Sequence, residues 1–376
     1  LEDVDGGSDF GRISLQEMST RLCGSADLFA TEPGRGAPAS INFVSCHDGF
    51  TLTDLTRYRS KHNEANGENN NDGSSVNHSA NFGVEGVTDD PDVIAAREQA
   101  AMNMIGMLLL SLGTPMMLAG DEFRNTQDGN NNAYCQDNDI TWLKWDWMYS
   151  TNKTREMRRL ETVSRLVALR KSLDLYHHED FFTRLTQLGL LKPSSRVQWF
   201  LPDGTTPMER DWFDLGVRSF TMRLLSNSEV DVCIVVNGTA DDRTFRLPPD
   251  THWTPKWCSA EINGRRAGHG TQVEECDLNG DTTVWTQHVP DASETVLKMV
   301  KEVAMQRTES STENEADTIK FAMPVTDHAA NGTSSAPRDE VSADMPDAPV
   351  DDTPDTPVDD NVWTMPALSI TLMKQV

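Results

Sequence analysis

Basic residues are scarce in this chain of 376 residues. Lysine and arginine together number 33, against 59 aspartates and glutamates, so the net charge is −26 and the isoelectric point lies near 4.6. Such a surface repels phosphate backbones, which argues against nucleic acid as a partner. A neutral polysaccharide is compatible with this charge.

Paired cysteines are also missing. The six cysteines are scattered and none forms a Cys-x-x-Cys motif: Cys23, Cys46, Cys135, Cys233, Cys258 and Cys276. Neither a zinc site nor a disulfide framework is therefore indicated. We predict reduced thiols in a cytoplasmic protein that uses no metal and no cofactor.

The chain has little that resembles a targeting or membrane segment. It opens with Leu1-Glu2-Asp3-Val4-Asp5, which is acidic where a signal peptide is basic. The longest apolar tract, residues 104–118, is interrupted by Gly113 and Pro115 and is too short to span a bilayer. We therefore predict no membrane partner.

The tract SINFVSCHDGFTL, residues 40–52, joins an apolar segment to an adjacent His47-Asp48 pair followed by Gly49. An apolar run that ends in two proton-active side chains and a glycine is typical of a buried strand with chemistry at its carboxyl end. A lone His-Asp pair more often satisfies backbone donors in a turn, so this alternative stays open on these residues alone.

A second apolar segment, residues 115–119, ends in Gly120-Asp121-Glu122-Phe123, and a helical stretch from about 93 to 112 lies between the two segments. Strand, helix and strand form a βαβ unit, whose right-handed crossover makes the strands parallel neighbours. We expect both acidic ends to point into one crevice. The stretch Thr88-Asp89-Asp90 offers a cap for this helix and Pro91 suits its first turn, and Arg97 and Glu98 are expected to face solvent.

Four tracts in this order resemble the α-amylase family of glycoside hydrolases and, within it, the isoamylase-like glycogen-debranching enzymes. They are NFVSCHDGFTLTDL from Asn42, KHNEANGE from Lys61, GTPMMLAGDEF from Gly113 and GNNNAYCQDNDITWLKW from Gly129. The resemblance implies that the first tract ends the seventh strand of a TIM (β/α)8 barrel and that the third forms the eighth strand.

The resemblance also implies a reaction, the retaining hydrolysis of α-1,6 branch linkages in glycogen or limit dextrins, with the branched α-glucan as partner. In that family an Asp nucleophile ends the fourth strand, an acid/base Glu ends the fifth, and a third carboxylate after the seventh stabilises the transition state. By motif match the third carboxylate is Asp48, and His47 binds the same sugar unit. The nucleophile and the acid/base find no match here, so we expect an incomplete, inactive C-terminal part of such an enzyme.

Two Asn-rich loops are predicted to bind sugar hydroxyls through amides and carboxylates, with Tyr134 stacking on a pyranose ring. The predicted contacts are Asn63, Glu64, Asn66, Tyr134, Gln136 and Asp137. The alternative is that these asparagines and glycines only supply left-handed turns. Composition weighs the two equally, and the resemblance favours binding.

The fold class expected is α/β followed by all-β. Residues 1–175 would be the last part of the barrel, with helices over about 15–28 and 154–173. Residues 176–376 would form an antiparallel β-sandwich. Its predicted strands cover 196–201, 219–225, 232–236, 244–247 and 367–372.

An acidic insertion is predicted at about 264–360. Residues 341–360 contain seven aspartates, four prolines and no basic residue, a composition that cannot bury enough apolar surface to offset chain entropy. We expect most of it to be disordered, and a docking tail is the alternative. For the whole chain, the alternative to an enzyme is a catalytically inactive glucan-binding or scaffold protein.

Overall fold

A short parallel strand pair surrounded by helices is followed along the chain by antiparallel β-structure. The structure is a computed structural model, and it describes residues 13–30, 34–177, 197–226, 230–249, 252–269, 274–275, 361–367 and 369–375. All elements below lie in these ranges.

The predicted helix over 15–28 is divided in two, α1 (Leu15–Leu22) and α2 (Ala26–Phe29). A capping box between Ser14 and Glu17 starts α1. Gly24 separates the helices with a φ of +86°, and a Cβ there would lie 2.8 Å from the Cβ of Ala37. The break thus follows from a left-handed turn under close packing, which helical periodicity does not reveal.

The predicted parallel pair is confirmed. Strand β1 (Ile41–Asn42) pairs in parallel with β2 (Thr114–Pro115), and α4 (Pro91–Leu110) lies between them in the chain. Both strands are shorter than the apolar tracts suggested. A one-turn helix, α3 (Leu52–Leu55), follows the His47-Asp48 turn.

Helix α4 begins as predicted, because Asp90 caps it by accepting from the backbone N–H groups of Asp92 and Val93 at 3.0 and 3.3 Å. The expectation that Arg97 and Glu98 face solvent is wrong, since they are 4% and 7% exposed. By length and composition alone α4 could cross a membrane. A core helix meets the same criteria, and more than half of this helix is buried.

The predicted helix over 154–173 is confirmed as α5 (Arg155–Ser172), with Thr154 as N-cap. Its apolar stripe is core, as the spacing indicated: Leu160, Val163, Leu166 and Leu169 are buried. Seven short 3-10 segments lie elsewhere in the described ranges, at Ala37–Ala39, Glu64–Asn66, Asp121–Phe123, Asp146–Tyr149, Asp174–His177, Glu209–Trp212 and Ser259–Asn263.

The β-structure contains a five-stranded antiparallel sheet in the order β3-β4-β5-β12-β7. Its strands are β3 (Val197–Phe200), β4 (Ser219–Leu224), β5 (Val232–Asn237), β7 (Trp253–Cys258) and β12 (Ser369–Gln375). Three predicted strands agree with β3, β4 and β5. The predicted strand at 367–372 extends further, and β7 was not predicted.

A three-stranded sheet, β6-β11-β9, and a two-stranded pair, β8 and β10, complete the β-structure. Their strands are β6 (Arg243–Arg246), β8 (Arg265–Arg266), β9 (Gly268–His269), β10 (Glu274–Glu275) and β11 (Val362–Met365). The predicted insertion therefore starts too early, because β8, β9 and β10 fall inside it. Its remainder, 276–360, lies outside the described residues.

The five-stranded sheet buries side chains on both faces. One face joins the three-stranded sheet through a cluster that includes Val235, Phe245 and Trp363. The other face shares a continuous core with α1, α4 and α5. A Cβ on Gly106 of α4 would lie 2.8 Å from the Trp257 ring, so glycine lets the helix approach the sheet. The predicted domain boundary near residue 175 remains a prediction.

Candidate functional site

The His47-Asp48 turn presents both side chains to solvent. Their side chains are 86% and 77% exposed, and His47 Nε2 lies 3.3 Å from Asp48 Oδ2. The sequence placed this pair at the end of a strand, and in the structure four residues separate it from the end of β1 at Asn42. The pair is thus free to meet a ligand rather than to satisfy buried backbone donors.

Asp121 holds this turn in place through hydrogen bonds to both of its flanks. Its Oδ2 accepts the hydroxyl of Ser45, and its Oδ1 accepts the backbone N–H of Leu52 at 2.9 Å. The carboxylate thereby connects the two flanks of the turn. Asp121 is 1% exposed, so the expectation that it would point into a crevice with Asp48 is wrong. Burial raises its pKa to about 6.

A network of asparagines joins the loop at 61–77 to the loop at 129–138. Asn63 is fully buried; its Nδ2 donates to Asp72 O and to Asn131 Oδ1, both at 2.9 Å. Its Oδ1 accepts the backbone N–H of Asn131 at 3.0 Å. Asn131 in turn accepts the N–H of Gly49 through its carbonyl at 3.0 Å. The His47-Asp48 turn is therefore tied to this network.

Asn66 is the second centre of the network. Its Oδ1 accepts from Asn130 Nδ2 and Gln136 Nε2, both at 2.8 Å. Its Nδ2 donates to Asp72 Oδ2 at 2.7 Å and to Asn132 O at 2.9 Å. The hydrogen bond from Asn66 lowers the pKa of Asp72, with a further one from Asn132. We call Asn63, Asn66, Asp72, Asn130, Asn131 and Asn132 the asparagine clamp.

The remaining predicted contacts lie at the surface beside the clamp. Glu64 and Asp137 are exposed, Gln136 is half-buried, and Tyr134 is 76% exposed. Asp137 Oδ1 accepts the indole N–H of Trp142 at 3.0 Å. Trp142 was not among the predicted contacts, although it is 56% exposed. It lies in the same Asn-rich tract as Tyr134, and this position is the signal that could have identified it.

Asp54 joins α3 to the segment that precedes the second loop. It accepts the hydroxyl of Thr126 and the backbone N–H of Gln127, the latter at 2.8 Å. Burial raises the pKa of Asp54 even though these hydrogen bonds oppose the shift. The sequence analysis did not single out this residue, because an aspartate one turn into a short helix is a common surface residue.

Two further side chains support the loop between 79 and 87. Arg97 donates to the carbonyls of Gly86 and Asn81 at 2.6 and 2.8 Å, and also to that of Val84. Glu85 accepts backbone N–H groups and His62 Nε2, the latter at 3.1 Å. Burial opposes ionisation of Glu85, but these hydrogen bonds outweigh it and lower its pKa to about 2. Across the described ranges, no three His, Cys, Asp or Glu side chains converge as metal ligands.

Gly73 gives a direct test of the clamp. Its φ is +71°, and a Cβ there would clash with the Asn131 amide and lie 2.7 Å from Asn63 Nδ2. Gly73→Ala is expected to open the clamp and speed hydrogen exchange in both loops. Gly67→Ala is the matched control, because Gly67 also has a positive φ, +81°, with open space around it. The control should show only the left-handed strain, about 1 kcal/mol; equal exchange in the two variants would contradict the clamp.

The raised pKa of Asp121 predicts a pH dependence of stability. A carboxylate with a raised folded-state pKa adds stability below its unfolded pKa, and this is lost as the pH rises through about 6. With about 1.4 kcal/mol per pKa unit, the loss amounts to about 3 kcal/mol. Between about pH 4 and 7 the unfolding free energy of the wild type should therefore fall relative to that of Asp121→Asn. The exposed-site variant Asp139→Asn should track the wild type, and parallel curves for Asp121→Asn would contradict the assignment.

Comparison with known proteins shows relatives of one kind. The chain is 37% identical over 270 residues to a glycogen debranching enzyme of Pectobacterium atrosepticum, covering 71% of this chain and 38% of that protein. It is 44% identical over 213 residues to a glycogen operon protein GlgX homolog of Mycobacterium tuberculosis, covering 55% and 28%. A glycogen debranching enzyme of Escherichia fergusonii is 53% identical over 134 residues, covering 36% and 20%. The chain thus spans well under half the length of these relatives.

Solved structures give weaker likenesses. A GBS pullulanase SAP in complex with maltotetraose has a TM-score of 0.48 at 10% identity, covering 96% of this chain and 35% of that one. A pullulanase from Bacillus acidopullulyticus has a TM-score of 0.40 at 18% identity, covering 69% and 24%. With TM-scores this low, neither likeness assigns the fold. No protein-family profile matches the chain.

The resemblance that the four tracts indicated is nevertheless confirmed by the sequence relatives. Over part of their length, this chain is similar to proteins named glycogen debranching enzyme and glycogen operon protein GlgX homolog.

Proposed function

We propose that this chain provides the sugar-binding side of an enzyme that hydrolyses α-1,6 branch linkages in glycogen or limit dextrins. The reaction would retain the configuration at the anomeric carbon. The observation that carries the proposal is the exposed Asp48, held on a turn that Asp121 and the asparagine clamp fix in place. Asp48 would stabilise the positively charged transition state, and His47 would bind the same sugar unit.

Sugar binding would extend from this turn across the second loop. Tyr134 and Trp142 offer exposed aromatic surfaces for stacking on pyranose rings, and Glu64 and Asp137 offer exposed carboxylates to hydroxyl groups. Asn63 and Asn66 would act beneath them by fixing the loops, since their amides already bind protein partners. Gln136, half-buried and bonded to Asn66, would join the two layers.

The nucleophile and the acid/base would be supplied by residues other than these 376. Strands β1 and β2 would then be the seventh and eighth of a (β/α)8 barrel, with the sandwich beginning near residue 176. The parallel pairing of β1 with β2 supports this arrangement. So does the order of the four tracts along this sequence.

The proposal is tested by two measurements on the 376-residue chain. In affinity electrophoresis, branched glucan is expected to retard the chain, and Trp142→Ala should reduce the retardation. In a reducing-end assay with glycogen, no hydrolysis is expected. If branched glucan retards the chain but no longer protein that contains it hydrolyses glycogen, the inactive glucan-binding alternative is favoured. Hydrolysis by the chain itself would overturn the assignment of the missing carboxylates, and the absence of retardation would overturn the glucan site.

A further inference from the structure

A cavity at the start of α4 and α5 is lined by arginines. It has a volume of about 170 Å³. Four arginines line it: Arg57, Arg97, Arg124 and Arg155. Neither His47, Asp48 nor any residue of the asparagine clamp is part of its wall. A second cavity of about 200 Å³ adjoins it through the shared residues Ile94, Glu98 and Arg155.

The charge of this cavity is opposite to that of the chain. Its two acidic wall residues, Asp89 and Glu98, face four arginines, whereas the whole chain carries −26. Glu98 is in addition already paired with Arg159, whose Nη2 lies 2.8 Å from Glu98 Oε2. Arg124 has one further carboxylate nearby, since its Nε lies 3.9 Å from Glu156 Oε1. Among the side chains that line the cavity, the basic ones still outnumber the acidic ones.

Arg124 has a buried N–H donor at this wall that lacks an acceptor. Its side chain is 7% exposed and lies 3.2 Å from Glu98 through Nε, yet Nη1 has no hydrogen-bond partner among the described residues. The Nε of Arg97 is also buried without a partner. Buried donors without acceptors are energetically unfavourable. Burial, and then the positive charges of Arg159 and Arg57 in spite of Glu98, lower the pKa of Arg124 to about 10.

The backbone maintains this arrangement. Arg124 has a φ of +70°, a left-handed conformation that a residue with a side chain seldom adopts. A water molecule could accept a hydrogen bond from Nη1 but would leave the charge unbalanced. An oxyanion does both, and guanidinium groups suit it through paired, charge-assisted hydrogen bonds.

We propose that this arginine cavity binds an oxyanion of the phosphate class, either inorganic phosphate or the phosphoryl group of a small metabolite. Arg124 and Arg97 would form the buried wall, with Arg57 and Arg155 at the more exposed side. Arg155, the first residue of α5, lines this cavity, and the dipole of that helix favours an anion near its N-terminus. Pro91, the first residue of α4, lines the adjoining cavity.

Calorimetric titration of the 376-residue chain with inorganic phosphate at low ionic strength tests the proposal. Saturable binding is expected, weakened about tenfold or more in Arg124→Gln. Arg57→Gln should weaken it likewise, and because Arg57 is half-exposed this variant serves if Arg124→Gln fails to fold. The control is Arg21→Gln, whose guanidinium pairs with Asp27 at 2.6 Å.

Two comparisons define the ligand and the failure of the proposal. Tighter binding of a hexose phosphate than of inorganic phosphate would identify the phosphoryl group of a metabolite as the ligand, and the reverse order would identify free phosphate. Chloride at matched ionic strength should not displace either. Absence of saturable binding, equal binding by the wild type and both variants, or displacement by chloride would mean that the arginines are structural only.

Discussion

Replacing Arg159 by methionine is expected to lower the free energy of unfolding by about 3 kcal/mol. Arg159 is 1% exposed, and its Nε and Nη2 donate to Glu98 Oε2 at 3.2 and 2.8 Å. Burial would raise the pKa of Glu98, but Arg159 and then Arg124 outweigh it and keep the pKa low. Without Arg159, a buried carboxylate would keep only the partial pairing with Arg124.

A urea titration of the wild type and the variant measures this loss. Arg158→Met is the matched control, since Arg158 precedes Arg159 on α5 and is half-buried; a change of about 0.5 kcal/mol or less is expected there. Glu98→Gln combined with Arg159→Met should be less destabilised than the sum of the single variants, because both charges are then removed. Additive effects, or equal values for Arg159→Met and Arg158→Met, would contradict a stabilising pair.

The same pair explains why the burial of charged residues on α4 was not foreseen. Glu98 and Arg159 are 61 residues apart in the chain, and no local pattern indicates that they meet. Charged residue types indicate an exposed helix face unless a buried partner is known. By contrast, the start of α4 depends on neighbouring residues only, so the candidate cap in Thr88-Asp89-Asp90 together with Pro91 was sufficient to locate it.

Two of the strands that were not predicted, β7 and β11, were missed for local reasons. Strand β7 contains Pro255, and proline argues against a strand in a sheet interior. In the structure β7 is the edge strand beside β12, and its pairing shifts register between Leu372 and Met373. Strand β11 directly follows the acidic stretch, whose composition concealed it. Edge position and register depend on the whole sheet and cannot be read from one segment.

The candidate site was predicted in its position more than in its roles. Asp48 and His47 were singled out at the end of a predicted strand, and in the structure both are exposed on a turn beyond β1. For the asparagines, composition supported two roles equally, left-handed turn geometry and sugar binding. The structure adds a third role, since Asn63 and Asn66 bind other loops. This role depends on Asn130 and Asn131, more than 60 residues away, so it could not be inferred from either loop alone.

The second large effect concerns activity. In an enzyme form that contains this chain together with a nucleophile and an acid/base, Asp48→Asn is expected to lower kcat by about 10²–10³. The carboxylate would accept from sugar hydroxyls beside the reacting carbon, and these hydrogen bonds strengthen as positive charge develops on the ring. Asparagine keeps the shape of the side chain and removes the charge. Stability should not change, because the carboxylate is exposed.

Asp137→Asn is the control for this experiment, because Asp137 is an exposed carboxylate on the neighbouring loop. Its loss should raise KM by only a few-fold and leave kcat almost unchanged, since a binding contact acts on the ground state and the transition state alike. Asp48→Asn should instead lower kcat and kcat/KM together. If the two variants behave alike, Asp48 is a binding residue. If Asp48→Asn keeps full kcat, the turn that Asp121 and Asn131 fix in place serves glucan binding without taking part in the chemistry.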